Sequence, residues 1–177
     1  ERRSLPGGLN THGIAYYKMK PEVSLREIKM IQDLGVEIRC GIEVGAAISM
    51  EEIRDEFDAV FLGVGLGEGR KLGIPGEDLP EVVDAIDFIA EIHTRPLEKV
   101  KVGRNVVVLG CGNTAIDAVS QAKRLGAEKA TILYRRGEGD MSAYRFEYDL
   151  AKSERCEFQF YVSPVGIEET DGHVSGI

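Results

Sequence analysis

The chain has 177 residues, of which 43% are hydrophobic and 29% charged, so it can bury a core in one large or two small domains. Its formal net charge of −8 excludes general nucleic-acid binding, which needs a basic face. No apolar run approaches the ~20 residues that span a bilayer, so no membrane partner is expected. The odd count of three cysteines, without a C-x-x-C pair, predicts a cytoplasmic protein with no metal site.

The first third of the chain predicts one helix and one short strand. Apolar spacing predicts a helix that opens at Pro21, with Ser24 and Glu27 as a capping box. A short strand is predicted over residues 36–39.

The next segment predicts a helix followed by a buried strand. Ser49 with Glu52 forms a second capping box, which predicts a helix to about residue 57. Residues 58–65 form a continuous apolar run, the pattern of a strand buried on both faces of a parallel sheet. A flexible turn is then predicted at Gly63, Gly65, Gly67 and Gly69.

The second half predicts a parallel α/β sheet. Asp84 is expected to cap a helix, and residues 96–103 are expected to form a connector. Strands and helices then alternate with short loops, which implies right-handed crossovers and a parallel sheet. The predicted strands are 105–109, 130–134 and 158–162, the helices are 114–125 and 143–154, and a β-meander covers 163–177.

A glycine loop opens the helix after the first of these strands. In Gly110-x-Gly112-x-x-Ala115, Gly110 permits a tight turn, Gly112 lets the backbone approach a pyrophosphate, and Ala115 keeps helix and strand close. Asn113 and Thr114 are expected to cap the helix and offer side-chain donors. The helix N-terminus is then suited to hold the diphosphate of a dinucleotide.

Two arginines end the next predicted strand. Flavin and NAD sites usually place an acid there, to hold the ribose hydroxyls, whereas this chain has Arg135 and Arg136. Guanidinium groups bind a 2′-phosphate bidentately, so NADPH is favoured over NADH. The alternatives are a solvated arginine pair, glycines that serve packing alone, and a loop that binds flavin.

Several other polar residues are given ordinary structural roles. Asp117 lies in the first turn of the predicted helix, where its charge suits the macrodipole, and Glu147 is interpreted as a solvated helix carboxylate. His12, His93 and His173 are interpreted as surface or loop residues. No catalytic residue is predicted.

With these motifs in place, the chain resembles the flavin-containing oxidoreductase module shared by dihydropyrimidine dehydrogenase and the small subunit of glutamate synthase. Dihydropyrimidine dehydrogenase is expected to be the nearer relative. The resemblance rests on Gly7-Gly-Leu9, Asp33-Leu-Gly-Val-Glu-Ile38, Asp58-Ala-Val-Phe-Leu-Gly-Val-Gly65, Ile74-Pro-Gly-Glu77, Gly110-Cys-Gly-Asn-Thr-Ala-Ile-Asp117 and Tyr134-Arg-Arg136.

The resemblance implies that an NAD(P)H domain is inserted into an FAD domain, and that hydride passes from nicotinamide to flavin. Glu1 resembles the acid on the FAD ribose. Lys18 resembles a flavin contact, and Val44 resembles a backbone contact to the adenine. Gly7, Gly8 and Leu9 resemble the glycine turn that runs beside the flavin. The nicotinamide dinucleotide contacts carried over are Cys111, Gly112, Asn113, Thr114, Arg135 and Arg136.

The expected architecture is therefore a Rossmann-like NAD(P)-binding domain with an incomplete FAD-binding domain. Residues 1–77 are assigned to the FAD-binding part, 78–104 to a connector and 105–177 to the NAD(P)-binding domain. We expect a piece of a larger enzyme, inactive alone, whose partners are NADPH or NADH, the rest of the flavoprotein with its FAD, and a larger catalytic subunit or domain. The alternative is a non-catalytic nucleotide-binding or electron-transfer docking module.

Overall fold

A computed structural model of the chain describes residues 1–65 and 69–177. The first half contributes four helices to these residues: α1 (Gly8–His12), α2 (Pro21–Asp33), α3 (Met50–Glu56) and α4 (Ala85–Thr94). The helix α2 begins at Pro21 because proline fits the first position of a helix. Gly67 of the predicted glycine turn lies outside the described residues.

The second half forms a three-stranded parallel sheet in the order β1-β2-β3, which confirms the predicted α/β class. The strands are β1 (Asn105–Leu109), β2 (Lys129–Tyr134) and β3 (Glu157–Phe160), connected by helices α5 (Asn113–Arg124) and α6 (Arg145–Ser153). Short 3-10 turns occur at Leu97–Lys99 and Glu138–Asp140. The register pairs Leu109 with Leu133, so β1 and β2 end at the same edge of the sheet.

The main core lies between one face of this sheet and the helices. Ile116 and Val119 of α5 and Ile132 of β2 are fully buried there, and Val106 and Val108 of β1 pack against them. Val107 points to the other face of β1, as strand alternation requires, and is 42% exposed. The sheet edge that carries the glycine loop is therefore fixed by a packed α/β layer.

The predicted meander is a two-stranded antiparallel hairpin, β4 (Glu168–Thr170) with β5 (His173–Gly176). Its tip is Asp171 and Gly172, both with positive φ, which matches the turn signal in the sequence.

Two strands predicted in the first half are wrong. Residues 36–39 and 58–65 have no strand assignment, and Phe61 and Val64 are 95% and 82% exposed. A parallel strand needs neighbours to satisfy its backbone hydrogen bonds and cover its side chains. Within the described residues, no strand lies beside either segment.

Of the three helix caps predicted before residue 100, one is wrong and two are confirmed. Ser24 lies inside α2, buried, and its hydroxyl pairs with that of Thr11 at 2.8 Å. Ser49 makes the predicted capping box with Glu52, and Asp84 caps α4 through the N–H of Ile86. In the described parts of the chain, no helix combines the length and the apolar character that a membrane crossing needs.

Candidate functional site

The glycine loop joins β1 to α5 at the carboxyl edge of the sheet. Gly110 adopts φ +107°, a conformation that costs other residues energy, and its N–H donates to Leu133 O at 3.0 Å. Gly112 is the N-cap of α5, and a Cβ built there would have Ser142 Oγ as its nearest neighbour, at 3.2 Å. The chain therefore makes the tight turn that the sequence predicts, and Ser142 lies against the loop at Gly112.

The predicted capping role of Asn113 and Thr114 is wrong. Gly112 caps α5 without a side-chain hydrogen bond, and Asn113 and Thr114 are the first two residues of the helix. Asn113 Oδ1 instead accepts a hydrogen bond from Tyr144 N at 3.0 Å. The first N–H groups of a helix have no partner in the helix itself, so they remain available to an anion.

Cys111 and Ala115 form the buried side of the loop. Cys111 is 3% exposed and Ala115 is 8% exposed, and both belong to the core. Burial, with a smaller effect of the Glu138 charge, raises the pKa of the Cys111 thiol to about 11. The thiol is therefore neutral, and Cys111 can offer a ligand only its backbone.

The predicted arginine pair follows β2 directly. Arg135 and Arg136 are both exposed, and Arg136 O accepts a hydrogen bond from Tyr161 N at 3.2 Å. Within residues 1–65 and 69–177, neither guanidinium makes a salt bridge. Since β1 and β2 end in register, the glycine loop and the two arginines emerge at one edge of the sheet.

The predicted adenosine contacts at the N-terminus lie on another part of the molecule. Glu1 is exposed, its carboxylate accepts from Arg3 N at 2.9 Å, and its carbonyl accepts from Ile42 N. Val44 is 46% exposed and forms an isolated bridge with Ile48. Glu1 therefore pairs with the segment that leads to Val44, and both residues remain accessible.

The turn predicted to run beside the flavin opens α1. Gly7 is the N-cap of α1 with φ +110°, and a side chain there would collide with Thr11 Oγ1, Ile28 and Ser24. Gly8 has φ +52° and open space around its α-carbon. Leu9 is 61% exposed. Gly7 is thus required by packing, whereas Gly8 and Leu9 face outward.

Lys18, the predicted flavin contact, is paired with two carboxylates of the second half of the chain. Its ammonium group lies 2.6 Å from Asp117 Oδ1 and 2.7 Å from Glu147 Oε1. Tyr17 donates its hydroxyl to the same Asp117 oxygen at 2.9 Å. Lys18 therefore contacts α5 and α6, although these helices lie about a hundred positions or more further along the sequence.

Two interpretations from the sequence are wrong at this cluster and beside it. From the sequence, Glu147 is interpreted as a solvated carboxylate, but it is only 5% exposed. His12 is interpreted as a surface or loop residue, but it is 2% exposed, and its ring forms a hydrogen bond with Leu5 O. Sequence reasoning also gave no role to Tyr17. No local pattern in the chain signals these contacts, because each depends on how the first half packs on the second.

The chain matches the model of the family described as pyridine nucleotide-disulphide oxidoreductase over residues 49–172. It is 37% identical to the glutamate synthase [NADPH] small chain of Escherichia coli, an alignment that covers 97% of this chain and 38% of that protein. It is 39% identical to the NADPH-Fe(3+) oxidoreductase subunit beta of Geobacter sulfurreducens, over 91% of this chain and 24% of that protein. The chain thus spans well under half the length of these relatives.

Among solved structures, FprA from Mycobacterium tuberculosis in complex with NADPH shares the fold. Its TM-score to this chain is 0.76 at 22% sequence identity, over 100% of this chain and 59% of that one. The family match covers the helix capped by Ser49, the glycine loop, the arginine pair and the hairpin tip. The chain therefore belongs to the pyridine nucleotide-disulphide oxidoreductase family.

Proposed function

We propose that this chain is the NADPH-binding part of a flavin-dependent oxidoreductase. Its relatives include proteins named for NADPH as a substrate, and the chain carries the loop and arginines that such a ligand needs. The observation that carries the proposal is the N-terminus of α5, which lacks a side-chain cap, at the same sheet edge as two arginines that have no carboxylate partner within residues 1–65 and 69–177.

The residues present fit a dinucleotide. The backbone N–H groups of the first turn of α5 would hold the pyrophosphate, and Gly112 carries no side chain that would obstruct its approach. Arg135 and Arg136, at the same edge, would bind the adenosine ribose with its 2′-phosphate. Thr114 is exposed, and Asn113 uses only its Oδ1 in the hydrogen bond with Tyr144 N, so its amide NH₂ can donate to a ligand.

The reaction proposed is hydride transfer, in which bound NADPH supplies the hydride and FAD accepts it. This chemistry requires no acid or base from the chain, so its residues act by holding and orienting the ligands. Glu1, Gly8, Leu9 and Val44 are accessible for FAD, whose remaining contacts would come from other parts of a longer protein. The final electron acceptor would bind to such a part or to a larger partner subunit.

The arginine pair gives the decisive test. Replacing Arg135 and Arg136 with Ala should weaken NADPH binding by about 1–3 kcal/mol per lost charge-assisted contact, measured by calorimetric titration. NADH affinity should change little, because NADH lacks the 2′-phosphate.

A control is Arg104→Ala, which removes one arginine charge at the amino end of β1, the opposite end of the sheet. It should leave both affinities unchanged. Equal losses of NADPH and NADH affinity in the double variant would contradict the 2′-phosphate role. Tight NADPH binding without flavin reduction in the flavin-loaded protein would instead favour a docking module.

A further inference from the structure

Lys18 joins the two halves of the molecule through an ion-pair cluster, here called the clasp, made of Lys18, Tyr17, Asp117 and Glu147. Asp117 is the fifth residue of α5 and Glu147 the third residue of α6, so both lie next to the helix N-termini at the glycine-loop edge. The side chains of Asp117 and Glu147 are 7% and 6% exposed, and that of Lys18 is 22% exposed. One ammonium group therefore bridges two nearly buried carboxylates.

Lys18 supplies the positive charge that balances the two carboxylates of the clasp. Burial disfavours a charged ammonium, yet hydrogen bonds to Asp117 and Glu147, together with their negative charges, outweigh burial and raise the pKa of Lys18. Without Lys18, two buried like charges would face each other with no cation between them. The carboxylates would then separate, and α5 and α6 would lose their common contact with the first half.

Further contacts fix the same stretch of backbone. Ala15 N donates to Asp117 Oδ2 at 3.4 Å, and His93 Nε2 of α4 pairs with Ile14 O at 2.6 Å. The guanidinium of Arg124 lies 4.1 Å from the centre of the Tyr17 ring. Contacts with α4 and with both ends of α5 thus fix the position of residues 14–18.

We propose that Lys18 is a positioning residue, which fixes the nucleotide-binding helix α5 relative to the segment at Gly7–Leu9 through Asp117 and Glu147. This inference rests on the proposed function, in which α5 holds NADPH and the Gly7–Leu9 turn lies beside FAD. The rate of hydride transfer depends steeply on the distance and angle between donor and acceptor, and a shift of about 1 Å can cost about a hundredfold. NADPH affinity depends on the loop and the arginines, which the clasp does not contact directly.

The test uses the full flavin-loaded protein and compares four variants with the wild type: Lys18→Met, Lys18→Arg, the double variant Asp117→Asn/Glu147→Gln, and Lys20→Met as the control. Lys20 lies two residues on, is exposed, and has no salt bridge within the described residues. Stopped-flow absorbance gives the rate of flavin reduction at saturating NADPH, and titration gives the NADPH Kd. The clasp predicts that Lys18→Met slows flavin reduction about tenfold or more. NADPH affinity should stay close to that of the wild type.

The other variants separate positioning from direct contact with the flavin. The double variant should reproduce the rate loss of Lys18→Met, Lys18→Arg should restore most of the rate, and Lys20→Met should match the wild type. A wild-type rate in Lys18→Met would overturn the proposal. So would a rate loss in Lys18→Met that the double variant does not share, because Lys18 would then act on the flavin itself.

Amide hydrogen exchange supplies a readout that does not depend on turnover. Lys18→Met should increase exchange both in residues 13–18 and in the first turns of α5 and α6, and exchange confined to one side would refute the coupling. If Lys18→Met fails to fold, the triple variant Lys18→Met/Asp117→Asn/Glu147→Gln removes all three charges of the clasp without leaving one unpaired. Absence of flavin reduction in the wild type would contradict the proposed function, while the exchange result would still decide whether the clasp couples the two halves.

Discussion

Asn113 Oδ1 accepts a hydrogen bond from the backbone N–H of Tyr144 at 3.0 Å, which ties the loop before α6 to the first turn of α5. Ala143 N donates to Cys111 O at 3.3 Å in the same place. The segment from Met141 to Tyr144 therefore forms a wall beside the glycine loop. Asn113 accepts a hydrogen bond from this wall instead of capping its own helix.

We expect Asn113→Ala to loosen this wall, because Tyr144 N loses its acceptor. The loss should cost about 0.5–1.5 kcal/mol of stability and increase hydrogen exchange at the Tyr144 amide. Asn113→Asp keeps an oxygen acceptor and should leave that exchange unchanged, but its charge should repel a pyrophosphate and weaken NADPH binding. If both variants increase exchange at Tyr144 equally, the hydrogen bond is not what holds the loop.

The sequence predicted most of the second half of the fold. Strands and helices of residues 105–160 differ from their predicted bounds by a few residues, since each has a strong local signal: an apolar run, a glycine loop or a helix stop. The glycine loop and Arg135 were found by the same local patterns.

The predictions that failed are those that depend on contacts between residues distant in sequence. The apolar run at 58–65 has the composition of a buried strand but finds no neighbouring strand among the described residues. Glu147 has the ordinary appearance of a helix carboxylate, and only its contact with Lys18 distinguishes it. Such pairings leave no periodic signal in one sequence.

The two glycines of the loop should respond differently to substitution by alanine. Gly110→Ala forces a residue with a Cβ into φ +107°, so it should destabilise the fold by about 1–2 kcal/mol.

Gly112 has φ −97°, which any residue adopts, and only Ser142 Oγ lies close to the added carbon. Gly112→Ala should therefore fold with little loss but bind NADPH about tenfold or more weakly, because the methyl group would occupy the path of the pyrophosphate. Thermal unfolding and NADPH titration check the pair, and unchanged affinity in Gly112→Ala would place the pyrophosphate elsewhere.

The three cysteines should differ in reactivity. Burial raises the pKa of Cys111 and Cys156 to about 11, with smaller effects of the charges of Glu138 and Glu154, whereas Cys40 is only partly covered. Iodoacetamide at pH 8 should therefore modify Cys40 first, as peptide mass spectrometry would show. Modification of Cys111 ahead of Cys40 would contradict the buried loop.

The buried thiols also predict a pH dependence of stability. In the unfolded chain these thiols ionise near their ordinary pKa of about 8.5, whereas in the folded chain they keep their protons until about pH 11. The folded state therefore loses stability as pH rises from about 9 toward 11. Replacing Cys111 and Cys156 with Ala should flatten this loss, measured by urea unfolding at a series of pH values, and an unchanged slope would assign it to other groups.

The exposed apolar segment at residues 60–64 should govern self-association of residues 1–177 when they are studied alone. Phe61 is 95% exposed and Leu62 is 64% exposed, which leaves a contiguous apolar surface of the kind that drives association. Around α1, by contrast, Leu9 is exposed but Thr11, His12 and Ala15 are buried. Phe61→Ser/Leu62→Ser should therefore reduce binding of a hydrophobic dye and shift sedimentation toward the monomer.

The control is Val165→Ser, which removes an exposed side chain, 89% accessible, from the second half of the chain and should change neither measurement. If the control variant has the same effect as the double variant, association depends on total apolar surface and not on this segment.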